Sequence, residues 1–285
     1  MTRSNLNQLT EHVYWLAPDA TTDRPVLGAI LGNKGALIVD AGNSPAHANL
    51  LLEGLTQLAE PKYVALTHWH WDHVFGTAAF DIPIVAHEET KRIVEQMAQL
   101  DWSDSALDRR VAEGTEIGFC RDMMKAELPE RSHLRLKTAD ISFGTQIELD
   151  MGGISCQIRH VGGDHSSDSS VVYVRGDNVL FLGDCLYEDL HHGPRRYTTQ
   201  KLFPLINLLL AYGADYYLLG HDLEPMSRQQ MVEYTGLLRS IGQEVERLGD
   251  DRERIIQSRQ QSTGRPLEKE HLEIVDAFLA GLQRR

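Results

Sequence analysis

The stretch Thr67-His68-Trp69-His70-Trp71-Asp72-His73 places four potential metal ligands within seven residues. Imidazole and carboxylate groups are standard ligands for zinc, manganese and iron. If the preceding strand runs up to this stretch, His68 and His70 point to the same face, because strand side chains alternate. Asp72 and His73 then fall in the following turn and reach a second ion about 3.5–4 Å from the first, as in two-metal hydrolytic sites. The spacing therefore predicts a metal pair.

The composition is typical of a globular protein, with 285 residues, of which 42% are hydrophobic and 24% are charged. The formal net charge of −13 argues against a nucleic acid as partner, because binding to phosphates needs patches of Lys and Arg. Bound cations would offset this charge locally, so an anionic substrate is not excluded. We therefore expect a small-molecule substrate.

The cysteines and the apolar runs bear on the cellular compartment. Cys120, Cys156 and Cys185 are too few and too scattered for a disulfide framework. The N-terminal stretch has no apolar run after its charge, so we expect no secretory signal. No stretch reaches the roughly 18 apolar residues of a membrane-spanning helix. These features favour a cytoplasmic protein without a membrane partner, and they leave a homo-oligomer open.

Strand and helix signals alternate from about residue 12 to residue 87. They predict strands at Gly28–Gly32, Ala36–Asp40, Tyr63–Thr67 and Ile82–Ala86, and a helix over Ala46–Ala59 with Ser44 as N-cap and Pro45 at the first helical position. The strand Tyr63–Thr67 delivers the histidine cluster at its C-terminal end. Alternating helices and strands predict a layered α/β architecture.

Two segments differ from this pattern. Residues from about 88 to 135 are polar and helix-forming, which predicts a helical insertion that would cover the site as a lid or wall. Strand signals return between 146 and 219, and residues from about 226 to 285 form a helical C-terminal extension. The chain has no low-complexity linker, so we predict one domain over residues 1–285.

Three further segments place potential ligands after strands, next to glycine. They are Gly163-Asp164-His165, Gly183-Asp184 and Gly220-His221. In open α/β sheets, sites form at the carboxyl ends of strands, and glycine allows the backbone to come close to a ligand. Each segment alone is weak evidence, because such residues often belong to ordinary loops or cap turns. Together with the histidine cluster they form a coherent set, since a carboxylate can bridge two cations while imidazoles fill the outer positions.

On these residues the chain resembles the metallo-β-lactamase-fold superfamily of hydrolases. The matching segments are His68-x-His70-x-Asp72-His73, Gly163-Asp164-His165-Ser166, Gly183-Asp184, Gly220-His221 and the strand Leu37–Gly42 that commonly precedes the metal motif. The resemblance covers roughly residues 12–87 and 146–222. It implies a four-layer αβ/βα sandwich built from two similar halves, with a dinuclear site at one sheet edge.

The resemblance also implies which residues bind which ion. The first ion would be bound by His68, His70 and His165, the second by Asp72, His73 and His221, and both by Asp184. His160 competes with His165, because His160-Val161-Gly162-Gly163 also resembles the family's loop. We favour His165, because Ser166 follows it and a strand begins soon after. We expect two divalent ions, with zinc ahead of manganese and iron, since the ligand set accepts all three.

The ligand set predicts a hydrolase. Two cations lower the pKa of a shared water, and the resulting hydroxide attacks the carbonyl carbon of a lactone or ester. Asp72 would also shuttle a proton to the leaving group. Tyr187 lies three residues after Asp184, where the quorum-quenching lactonases of this superfamily carry a tyrosine that bonds the substrate carbonyl. The alternative is that Tyr187 is a packing residue.

The segment His191-His192-Gly193-Pro194-Arg195-Arg196 predicts a loop close to Asp184 in sequence. Its histidines and arginines either bind an anionic or polar group of the substrate or are simply exposed. Of these two interpretations, we favour the exposed loop.

Other activities stay open. A thioester hydrolase of the glyoxalase II type shares all seven ligands, but its basic glutathione-binding segment is missing here. A β-lactamase is disfavoured, because Asp184 stands where that class tends to have Cys or Ser. A mononuclear iron persulfide dioxygenase would use a subset of these ligands.

Overall fold

The apolar strands pair into two sheets in the computed structural model, which describes residues 6–282. The first sheet contains β1 (Asn7–Gln8), β2 (Val13–Leu16), β3 (Leu27–Gly32), β4 (Gly35–Val39), β5 (Pro61–Ala65), β6 (Ile84–His87) and β7 (Ile141–Phe143), in that spatial order. The second contains β8 (Gln146–Asp150), β9 (Ser155–His160), β10 (Ser170–Arg175), β11 (Val179–Gly183), β12 (Tyr216–Leu219) and β13 (Met226–Ser227), which are also neighbours in sequence order. The first five residues, which begin the N-terminal stretch without an apolar run, and the last three of the predicted extension lie outside the described residues.

Helices connect and flank the strands. They are α1 (Pro45–Leu55), α2 (Trp71–Val74), α3 (Glu88–Met97), α4 (Asp104–Glu113), α5 (Gly118–Glu127), α6 (Thr199–Ala211), α7 (Arg228–Leu248), α8 (Arg252–Thr263) and α9 (Lys269–Leu282), and a 3-10 turn (Phe75–Ala79) follows α2. The predicted cap of α1 is present, since the Ser44 side chain accepts a hydrogen bond from the His47 amide and Pro45 opens the helix.

Strand β4 shows how the layers are specified. Leu37 and Val39 join the core between the two sheets, whereas Ala36 and Ile38 join the core beneath the helices of the first sheet. This alternation follows from the two-residue period of strand side chains. The outer face of the second sheet packs on α6, α7, α8 and α9. The expected four-layer αβ/βα sandwich is therefore confirmed.

Helices occupy the two ranges, about 88–135 and about 226–285, for which the sequence predicted a helical insertion and a helical extension. Helices α3, α4 and α5 lie between residues 88 and 127, and α7, α8 and α9 lie between residues 228 and 282. None of the helices in residues 6–282 combines the length and the apolarity needed to cross a bilayer.

Strand β5 ends at Ala65, two residues before the predicted end at Thr67. The reason is a long-range hydrogen bond, because the Thr67 amide donates to the Asp40 side chain at 2.7 Å instead of to a neighbouring strand. The chain therefore leaves the sheet before the histidine cluster begins.

Candidate metal centre

The structure brings all seven predicted metal ligands into two groups at one edge of the sandwich. Among residues 6–282, these groups are His68, His70 and His165, and Asp72, His73, Asp184 and His221. Within each group the candidate ligand atoms lie within 4.8 Å of one another. His160 belongs to neither group, since its Nε2 donates to the Ser167 carbonyl at 2.8 Å and its ring stacks on His87.

The route by which the chain presents these side chains differs from the predicted one. His68 and His70 lie in the connection between β5 and α2, and Asp72 and His73 lie on α2 itself. The argument from strand alternation was therefore wrong, because β5 ends at Ala65. The two imidazoles converge within this connection, with their ring centroids 4.6 Å apart.

The remaining ligands come from the second sheet. Asp184 directly follows β11, His221 follows β12 after Gly220, and His165 lies in the loop between β9 and β10. Both sheets thus contribute to the site, and their loops meet at the same edge, as expected for the carboxyl ends of strands in layered α/β folds.

Asp184 lies between the two groups. Its Oδ2 atom is 3.4 Å from His165 Nε2 and 4.0 Å from His68 Nε2 in the first group. The same atom is 3.5 Å from His73 Nε2 and 3.4 Å from His221 Nε2 in the second. A carboxylate in this position is suited to bind two cations at once.

Asp40 orients an imidazole in each group. His73 Nδ1 donates to Asp40 Oδ2 at 2.8 Å, so the Nε2 lone pair of His73 faces the site. His68 Nδ1 donates to Thr67 Oγ1 at 3.0 Å, and that hydroxyl donates onward to Asp40 Oδ2 at 2.8 Å. In metal sites such partners fix the tautomer of a ligating histidine.

Several buried polar atoms in the site have no hydrogen-bond partner among the described residues. They are His68 Nε2, His73 Nε2, His165 Nε2 and Asp184 Oδ1. Buried polar atoms without partners are costly, and imidazole and carboxylate atoms that converge in this way are the donor set that divalent metals prefer. The residues therefore fit a metal pair.

The pKa shifts of these side chains differ between the two groups. Burial lowers the pKa of His68 and of His70 well below the usual range, which keeps both imidazoles neutral and able to bind a metal. Burial also disfavours the charged form of His73, but the carboxylates of Asp72, Asp184 and Asp40 outweigh it and raise its pKa. A proton and a cation thus compete for the second group.

The cavity beside the two groups has a volume of about 400 Å³ and is lined by the ligands on one side. The helical segment of residues 88–127 forms an opposite wall that is largely apolar, with Met97, Leu100, Trp102, Phe119 and Met124. Arg110 and Glu116 are charged residues on that wall. The predicted insertion therefore lines the cavity.

Tyr187 also lines the cavity, but its hydroxyl group is already engaged. The phenol donates to Asp222 Oδ1 at 3.0 Å and accepts from the His221 amide at 3.2 Å. Burial, with the nearby charge of Asp184, raises the pKa of Tyr187 well above its usual range, so the phenol stays protonated. Its hydrogen points to Asp222 rather than to the cavity.

The loop that contains His191 and His192 places the two side chains in different environments. His191 lines the cavity, as does Arg195, whereas the His192 side chain is 70% exposed. Burial, with the nearby His165, lowers the pKa of His191 to about 4, so its ring is neutral at pH 7.

Three aspartates near the site had no predicted role. Asp40 orients two histidines, Asp222 holds Tyr187, and Asp23 lies with its Oδ1 3.6 Å from His221 Nδ1. Asp40 was visible only as the end of a strand followed by Ala-Gly, and Asp222 as the neighbour of His221. Asp23 carries no signal in the sequence, because its proximity to the site arises from tertiary packing.

Comparison with known proteins identifies the family of this chain. A sequence profile of the metallo-beta-lactamase superfamily matches residues 24–226. The chain belongs to this superfamily. Membership supports a hydrolase that uses divalent metal ions, and the two groups of residues are the candidate ligands.

Relatives within this superfamily are distant. The chain is 26% identical over 204 residues to "Probable metallo-hydrolase YybB" of Bacillus subtilis (strain 168), covering 68% of this chain and 79% of that protein. A metallo-beta-lactamase from Pontibacter korlensis has a TM-score of 0.55 at 20% identity, covering 81% of this chain and 96% of that one. A double mutant of the sec-alkyl sulfatase PisA1 has a TM-score of 0.60 at 14% identity, covering 83% of this chain and 41% of that one. At these identities the two structures show the fold alone.

Replacing Asp40 by Asn tests how the histidines are oriented. The amide keeps the shape of Asp40 but weakens the bonds that fix His73 and, through Thr67, His68. We expect a loss of metal affinity of about 10- to 100-fold, as for other partners of ligating histidines. Competition with a chelator measures the metal affinity. The control is Asp150→Asn, because Asp150 is exposed and belongs to neither ligand group. Equal affinities in the two variants would contradict the assigned role of Asp40.

Gly220→Ala tests the close approach of the backbone to Asp184. A Cβ at position 220 would lie 2.0 Å from Asp184 Oδ1 and 3.3 Å from His73 Cε1, so the carboxylate must move. We expect metal content to fall while the far-ultraviolet circular dichroism spectrum stays unchanged. Gly236→Ala in α7 is the matched control, because a Cβ there meets no heavy atom within 4 Å. Full metal content in Gly220→Ala would mean that Asp184 is not confined as described.

Proposed function

We propose that this chain is a dinuclear metallo-hydrolase that cleaves the acyl C–O bond of a lactone or ester. The observation that supports it best is the position of Asp184, whose Oδ2 lies 3.4–4.0 Å from the Nε2 atoms of four histidines drawn from both groups. One carboxylate shared by two ligand groups is the arrangement expected for a metal pair.

In this proposal His68, His70 and His165 hold one ion, Asp72, His73 and His221 hold the other, and Asp184 contacts both. Zinc is the expected metal, with manganese and iron as alternatives. When bound, the pair supplies a nucleophilic water of lowered pKa and a Lewis acid for the carbonyl group.

The other side chains of the site bind and orient the substrate. Asp72 lines the cavity, and its Oδ2 lies 3.2 Å from the Nε2 atoms of His73 and His221. We assign it a second role in passing a proton to the leaving group. Tyr187 is the candidate to bond the substrate's carbonyl oxygen, which requires its hydroxyl hydrogen to turn from Asp222 toward the cavity.

The cavity favours a substrate with an apolar body. Its volume of about 400 Å³ suits a small molecule, and the wall formed by Trp102, Phe119 and Met124 offers apolar contacts to an acyl or alkyl group. This wall gives no support to a polar peptide-like substrate such as glutathione, which a glyoxalase II-like enzyme would bind.

Metal analysis combined with a substrate panel tests the proposal. Protein purified without added metal should hold about two equivalents of zinc or manganese per chain, as two-metal hydrolases do. The panel contains lactones, aryl esters, a thioester, a β-lactam and a secondary alkyl sulfate. Turnover of lactones or esters supports the proposal. Preference for another compound of the panel would contradict the lactone or ester assignment and would identify the class of that compound as the substrate. About one equivalent of iron without hydrolysis would favour the persulfide dioxygenase instead.

Two variants test the ligand set directly. His68→Ala removes an imidazole of one group, and Asp184→Asn weakens the shared carboxylate, so both should lose at least one equivalent of metal and nearly all activity. His133→Ala, an exposed histidine outside both groups, should behave like the wild type. Retention of metal and activity in both ligand variants would remove the proposed centre.

Tyr187→Phe tests the phenol. If the hydroxyl bonds the carbonyl oxygen as it becomes negative, kcat should fall by about 10- to 100-fold, toward the range seen for lost transition-state donors. Metal content should not change, because Tyr187 belongs to neither ligand group. Asp222→Asn is the companion variant, since it alters the bond that holds the phenol without removing it. Unchanged turnover in Tyr187→Phe would make Tyr187 a packing residue.

A further inference from the structure

The loop from Asp189 to Arg196 is held in shape by hydrogen bonds between its own residues. Its two ends bond to each other, since the Asp189 amide donates to the Arg196 carbonyl at 3.0 Å and the Arg196 amide donates to the Asp189 carbonyl at 3.2 Å. The Asp189 side chain is buried beneath the loop. Gly193 and Pro194 predicted a loop, but they did not predict that the loop has a fixed conformation.

The Asp189 carboxylate is what fixes the loop's shape. It accepts hydrogen bonds from the amides of His191 and His192 at 3.0 and 3.2 Å. It also accepts from His192 Nδ1 at 3.0 Å and from the Arg196 guanidinium. Four donors on one buried carboxylate hold the backbone of His191 in one position.

This position directs the His191 ring into the cavity. Its centroid lies 4.6 Å from that of His70 and 5.7 Å from that of Trp69, which places it beside the first ligand group. His191 is not a member of that group. Within the described residues, no protein atom makes a hydrogen bond to either ring nitrogen of His191, whereas His192 Nδ1 is bonded to Asp189.

His191 therefore differs from Tyr187, another polar residue on the cavity wall. The phenol of Tyr187 is bonded to Asp222 and to the His221 amide. The imidazole of His191 has a donor and an acceptor that are both free, and the loop has already been ordered around it. A preorganised donor costs little reorganisation when it binds a developing charge.

We propose that His191 is a catalytic residue that donates a hydrogen bond to the acyl oxygen of the substrate, and that Asp189 is the residue that positions it. This inference rests on the proposed acyl hydrolysis. The acyl oxygen gains negative charge as the carbonyl is attacked, so the bond strengthens on the way to the transition state. The loss of His191 should consequently lower kcat more than it raises KM.

The experiment compares the two neighbouring histidines on the best lactone or ester from the panel. His191→Phe keeps an aromatic ring but removes the donor, and His191→Asn retains a donor. The control is His192→Asn on the exposed side of the loop, which keeps an N–H at the δ position for the bond to Asp189. We expect kcat to fall by about 100-fold in His191→Phe, as when one oxyanion donor is lost, with partial recovery in His191→Asn. His192→Asn should stay within about threefold of the wild type, since this side chain is exposed and the substitution keeps a donor for Asp189. Metal content should be unchanged in all three.

A double-mutant cycle tests the role of Asp189. Asp189→Asn should lower kcat in the wild-type background but have little further effect in the His191→Phe background, because its contribution passes through His191. A purely structural loss would lower activity equally in both backgrounds. Additive effects would therefore remove Asp189 as a positioning residue.

Other outcomes are also decisive. Wild-type turnover in His191→Phe, or equal losses in His191→Phe and His192→Asn, would overturn the assignment of His191. A fall in metal content in His191→Phe would make it a metal ligand rather than a substrate donor. If the wild-type protein hydrolyses no lactone or ester, the proposed function fails first and this inference fails with it, whereas an active wild type isolates the test of His191.

Discussion

One buried carboxylate, that of Asp40, organises the candidate metal centre. Asp40 accepts hydrogen bonds from His73 Nδ1, from the Thr67 hydroxyl and from the Thr67 amide. The Thr67 hydroxyl in turn accepts a hydrogen bond from His68 Nδ1. Asp40 therefore ends β5, starts the turn that carries the histidines, and aims one imidazole from each ligand group. Asp40 itself has a positive φ of 62°, a conformation that costs energy in a non-glycine residue and that these bonds over-determine.

The grouping of the candidate ligands could be predicted because its signals are local. His68, His70, Asp72 and His73 lie within six residues, and Asp184 and His221 each follow an apolar strand and a glycine. The way in which His68 and His70 converge could not be predicted, since it depends on Asp40, which is 27 residues from Thr67. The layered fold could be predicted for a similar reason, because the alternation of side chains along a strand such as β4 depends on neighbouring residues in the sequence.

The substrate side of the site is less accessible from sequence. His191 and His192 are adjacent and chemically identical, and only the buried Asp189 decides which of them enters the cavity. Helix-forming residues between 88 and 127 predict helices, but which side chains face the metal centre depends on how those helices pack. The engagement of Tyr187 with Asp222 joins residues 35 positions apart and has no local signature.

The ligands come from both halves of the sandwich, with His68 to His73 supplied by the first sheet and His165, Asp184 and His221 by the second. A cation held by this set is consequently a cross-link between the sheets. Folding and metal occupancy then obey one mass-action relation, in which free metal at a hundredfold excess over its dissociation constant adds about 2.7 kcal/mol to the free energy of unfolding. Under the proposed metal assignment, the resistance of this protein to unfolding would therefore depend on the metal supply of its surroundings.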